Sequence, residues 1–107
     1  MQDQAGAQND SAAEIAGPLE WEVVAVEPLP SFQLEVEFAD GTRGHFDLFD
    51  FIHREDAGVF VALRDVNVFN RVFIDYGAVT WPGELDLAPD GMHATLKASP
   101  PNTIVKL

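Results

Sequence analysis

The side chains able to do chemistry in this sequence are three histidines, eighteen acids and a few hydroxyls; there is no cysteine. One group is His45, Asp47, Asp50 and His53. His45 and Asp47 occupy alternate positions at the end of a predicted strand. Asp50 and His53 are three apart, so they share a face of the helix expected next. Imidazole and carboxylate ligands suit zinc, manganese or iron. A plainer use exists for the same residues, with Asp47 as a helix N-cap and Asp50 complementing the helix dipole. The spacing matches no recognised ligand motif. A second group is Asp86, Asp90 and His93, with Asp75 and Glu84 as candidates to join it. Paired carboxylates can act as general acid and base. Asp90 is equally accounted for as a first-turn acid and Asp86 as a turn residue.

Nucleophilic catalysis has less to stand on. Ser11, Ser31 and Ser99 fall in tail or loop contexts, and no G-x-S-x-G occurs. The glycines are isolated turn residues, so there is no phosphate loop. An enzyme is therefore not the expected reading, and no cofactor is expected. The aromatic residues offer contact chemistry instead. Trp81 lies beside Pro82-Gly83, where it either fills the core or anchors a partner, a role for which tryptophan is favoured. Together with Tyr76, and with Glu35 and Glu37 on the wet face of a strand, it makes up the candidate partner-contact set.

The elements that must position these groups read as α+β: a small antiparallel sheet of two hairpins, short helices and a C-terminal helix. Residues 1–19 are rich in Ala, Gln, Asp and Gly, and bury too little apolar surface to order themselves, so a disordered acidic tail is expected. Residues 20–99 form the single domain, and 100–107 a C-terminal extension. Trp21–Glu27 is apolar on both faces and reads as a central strand, ended by Pro28 and Pro30. From Phe32 to Phe38 apolar and polar residues alternate strictly, which puts Phe32, Leu34, Val36 and Phe38 on one face and Gln33, Glu35 and Glu37 on the other. Asp40-Gly41 predicts a hairpin, since both residues tolerate positive φ, with Arg43–Phe46 returning and Arg43 opposite Glu37.

A helix over roughly 48–54 follows, then a helical turn at Val59–Leu63 and an irregular connection at Asp65–Phe69. Arg71–Asp75 and Ala78–Trp81 make a second hairpin around Tyr76-Gly77. The hairpin edges are able to accept a partner strand. Pro89 opens the last helix, with Met92 and Leu96 on its apolar face. The closing NTIVKL is either a loose end or an added edge strand.

Charge sets the strongest limits. Eighteen acids against six bases give a net charge of −12 in 107 residues. Asp3, Asp10, Glu14 and Glu20 lie in the first twenty residues, where no base occurs, which leaves fourteen acids, six bases and −8 for the remainder. Direct nucleic-acid binding needs clustered Lys and Arg to neutralise phosphates, and the six bases form no run. Anionic membranes are disfavoured on the same ground, and no stretch approaches the ~20 apolar residues of a membrane span. A basic protein is the electrostatically suited partner. The absence of cysteine and of a secretory signal pattern gives the cytoplasm as the expected address.

Several short segments, taken in order, resemble a small bacterial domain-of-unknown-function family, number 2442. They are Val23–Val26, the run Leu34 to Gly41, Phe46-Asp47-Leu48, Phe60-x-x-Leu63-x-Asp65, Phe69, Val72, Trp81-Pro82, and the run Asp86 to Met92. The resemblance implies a compact α+β unit. It carries no activity and no catalytic residues. Its apparent association with helix-turn-helix and toxin–antitoxin-like partners implies a regulatory or interaction module. No helix-turn-helix follows here, so a DNA-binding role is not transferred. The sequence thus favours a non-enzymatic interaction or regulatory module with an acidic surface, present as a monomer or weak homodimer. The alternative is a small metal- or ligand-binding enzyme or sensor built on His45, Asp47, Asp50 and His53.

Overall fold

The strictly alternating segment becomes the hydrophobic seam of the molecule. In the computed structural model, which describes residues 19–107, it forms β2 (Gln33–Phe38), and Leu34, Val36 and Phe38 are completely buried. β2 lies between β1 (Val23–Leu29) and β3 (Arg43–Asp47), antiparallel to both. The expectation of a disordered tail falls on residues outside those described.

Five features sharpen or change the sequence reading, each for a local reason. β1 is an edge strand rather than a central one, which is why it runs through Pro28 without losing a ladder hydrogen bond. Phe32 precedes β2 at positive φ (59°), yet its ring still packs edge-on against Phe69, 5.3 Å between centroids. In the Asp40-Gly41 hairpin only Gly41 has positive φ (88°); the Gly41 N–H donates to the Phe38 carbonyl, and the Asp40 carboxylate accepts from the Thr42 N–H. The connection expected to be irregular at 65–69 is a helical turn, α2 (Val66–Phe69), capped by the Asp65 side chain. Of the two readings of the C-terminal segment, the added strand is the one observed. Ile104–Lys106 is β7, added parallel to β3, with Val105 buried.

The four-stranded sheet runs β1-β2-β3-β7. A three-stranded sheet, β4 (Phe73–Asp75), β5 (Ala78–Trp81) and β6 (Leu85–Asp86), runs in that order. The two sheets meet where the Val23 N–H donates to the Gly77 carbonyl at 2.8 Å. Between β3 and β4 lie α1 (Phe49–His53), a 3-10 helix at Gly58–Arg64, and α2. Arg64 ties two of them together, its Nε donating to the Ile52 carbonyl at 2.7 Å. α3 (Pro89–Ala98), with Pro89 in its first turn, covers the inner face of the large sheet. Met92 is buried there, and Leu96 packs so closely over Gly44 that a Cβ at that position would overlap it. The core joins both sheets: Leu34, Phe38 and Phe46 from one, Val79, Trp81 and Leu85 from the other. Among the described residues no helix is long and apolar enough to cross a membrane.

Candidate functional site

The His45–His53 group does not assemble. His45 projects from the outer face of β3, its Nε2 3.8 Å from the Glu35 carboxylate. The Asp47 carboxylate accepts the Phe49 N–H at 2.9 Å, so it starts α1 from one position before the cap. Asp50 sits in the first turn of α1. His53 Nδ1 bonds the Phe49 carbonyl at 2.8 Å, and its ring stacks on Phe49. His45, Asp47 and His53 each have a local partner, and among the described residues no three His, Asp or Glu side chains converge to hold an ion. The four residues expected to share a metal are therefore not brought together as one group.

The second group is rearranged too. His93 turns away from Asp86 and Asp90 and bonds Asp40 across the fold, Nε2 to Oδ2 at 2.8 Å, while its ring sits edge-on to Phe38. This contact fastens the first hairpin to α3. Hydrogen bonds from the Thr42 hydroxyl and amide, and then from His93, hold the Asp40 carboxyl well below the usual carboxylate range.

The proposed aromatic contacts separate. Trp81 is fully buried, and its Nε1–H donates to the Phe69 carbonyl at 2.9 Å. A buried indole with its N–H satisfied is a core residue, so Trp81 is removed from the partner-contact set. Tyr76 is the opposite case, 98% exposed. Glu35 and Glu37 do lie on the outer face of β2, but opposite side chains of β3: Glu37 is 3.7 Å from the Arg43 guanidinium, and Glu35 faces the His45 imidazole.

Tyr76 stands at the lip of an open groove of about 810 Å³ over the outer face of the small sheet. The register explains its shape. Phe73, Thr80 and Asp86 are directly opposite one another across β4, β5 and β6, and Asp75 is opposite Ala78. Residues so paired share a face. The middle strand therefore presents small side chains, Ala78 and Thr80, as a floor. Phe73 and Asp75 rise on one flank and Asp86 on the other, with Trp21 and Glu84 completing the rim. Thr80 is buried and satisfies its hydroxyl on the Ala78 carbonyl. No lysine or arginine lines the groove, and among the described residues Asp75, Glu84 and Asp86 are in no ion pair. A smaller groove, about 420 Å³, lies beside β3 and β7 but is lined by Arg43 as well as Glu35 and His45.

Sequence reasoning missed Trp21, Phe73 and Thr80. The alternation of Phe73 with Asp75, and of Ala78 with Thr80, was the available signal. It marks a two-faced hairpin, but not that Trp21, from before β1, would wall it.

The model of the family described as "Protein of unknown function (DUF2442)" matches residues 23–98. The chain belongs to this family. The matched region runs from the start of β1 to the end of α3, so it takes in nearly the whole groove but not Trp21, and it leaves out β7. No curated protein and no solved structure matches the chain.

Proposed function

We propose that this DUF2442 domain is a non-enzymatic interaction module, regulatory in role, that receives a basic partner protein in the groove of its small sheet. The observation that carries the reading is Tyr76. It sits at the first position of a two-residue turn with φ +50°, followed by Gly77 at +75°. Such turns favour Asn or Gly, and a bulky residue at positive φ is an outlier. The side chain is almost wholly exposed, so it adds nothing to the core. Backbone strain of this kind clusters at sites that contact ligands. Phe73, 43% exposed, lies along the same groove. Aromatic side chains beside carboxylates that are in no ion pair among the described residues favour cationic side chains, by ring-face attraction and by charge.

The test compares wild-type protein with an Asp75→Asn, Glu84→Gln, Asp86→Asn triple variant and with Tyr76→Ala, each used to capture proteins from native lysate at moderate salt. The reading expects wild type to retain a basic protein that both variants release. It fails if the same proteins are retained by all three, or if nothing basic survives the salt wash.

A further inference from the structure

The dimensions of the groove restrict how a basic partner enters it, and resting on the interaction reading above, we infer that its occupant is an extended segment bearing two cationic side chains at alternate positions. β4 and β6 are each one strand spacing from β5, so the flanks stand about 10 Å apart. Between them lie only Ala78 and Thr80. That width takes one extended chain and excludes a helix, whose diameter with side chains is about 10–12 Å before any clearance.

The acids are placed in step with such a chain. Asp75 is level with Ala78, and Asp86 is level with Thr80. The two levels are two residues apart along β5, about 6.8 Å, and the acids stand on opposite flanks. In an extended segment, residues i and i+2 face the same way and repeat at that same distance. Two basic residues so spaced, pointing down onto β5, would each reach one carboxylate. Adjacent basic residues point to opposite faces, and one of them would be left facing solvent.

Other occupants fit poorly. A second copy of this chain brings more acids than bases, and the first twenty residues hold no base. Nucleic acid meets uncompensated carboxylates.

The experiment uses two short synthetic peptides of identical composition and charge, one with arginines at alternate positions and one with the arginines adjacent. Each is titrated into the full chain, with amide chemical shifts and affinity as readouts. The alternate peptide is expected to bind about tenfold more tightly, the scale of one charged contact, with shifts centred on Phe73, Asp75, Ala78 and Asp86. Asp86→Asn, an exposed substitution, should abolish that preference by weakening the alternate peptide about tenfold while leaving the adjacent one little changed. Equal affinities with shifts still in the groove would overturn the extended register and leave the basic-partner reading standing. If neither peptide moves those resonances, both readings fall together.

Discussion

On the four-stranded sheet the outward carboxylates of β2 have partners in the same molecule: Glu37 is beside the Arg43 guanidinium and Glu35 is opposite the His45 imidazole. On the three-stranded sheet Asp75 and Asp86 meet aromatic rings and a floor of small side chains. Both surfaces are acidic, yet among the described residues only the second has no lysine or arginine beside its carboxylates. The larger sheet is not perfectly balanced either, because Glu27 and Glu35 are direct cross-strand neighbours, a mildly unfavourable pairing. The contrast separates two uses of acidity. Charge that finds a partner within the fold contributes little beyond solubility and a weak surface ion pair. Charge left open beside exposed aromatic groups is available to another molecule.

The largest way to break the comparison is to remove the wall that separates the two faces of the small sheet. Trp81→Ala deletes a fully buried side chain and its hydrogen bond to Phe69. A loss of about 3–5 kcal/mol is expected for such a truncation, read as a large fall in the urea midpoint. A loss under about 1 kcal/mol, the scale of surface changes, would mean that Trp81 is not the core residue described.

Acid is the next lever. The Asp40 carboxyl is held below its ordinary value of 3.8, chiefly by Thr42 and then by His93. A depressed folded-state value means that this contribution is complete above the unfolded value and is lost as pH falls below it. Stability should therefore decline on acidification below about pH 4 more steeply in wild type than in Asp40→Asn. Parallel declines in urea titrations across that range would show that the hydrogen bonds to the Asp40 carboxylate contribute nothing to stability.

Tyr76→Asn gives a smaller shift with an unusual sign. Asparagine suits the left-handed position, so the variant should gain about 0.5–1 kcal/mol while binding the basic partner less well. A destabilised variant would indicate that Tyr76 serves the fold. Glu37→Gln should cost the least, a few tenths of a kcal/mol at most for an exposed pair, and should leave partner binding unchanged.

The sequence made the fold more legible than the site. Phe32–Phe38 announced its strand because one face is core and the other water, and period-two alternation follows directly from that. The second hairpin was visible from Tyr76-Gly77 and the Val and Ile residues around it. β7 was ambiguous, since three residues added parallel to β3 leave no turn signal and owe their place to tertiary pairing. The inward turn of Trp81 was undecidable locally. Its partner is the carbonyl of Phe69, twelve residues away. His93 likewise found Asp40 through packing on Phe38, and no spacing rule connects residues 53 positions apart. The groove is a product of three separate segments, and a local reading of any one of them shows only an ordinary strand or turn.

The most direct test of the central contrast is the affinity of an arginine peptide for two charge-matched variants, Asp75→Asn with Asp86→Asn, and Glu35→Gln with Glu37→Gln. Both remove the same formal charge. The account predicts that the groove variant loses at least about tenfold in affinity, more than 1.4 kcal/mol, while the sheet variant stays close to wild type. Equal losses in the two variants, or a larger loss in the sheet variant, would show that the peptide reads net charge or the wrong face, and would contradict the assignment of the partner surface to the groove.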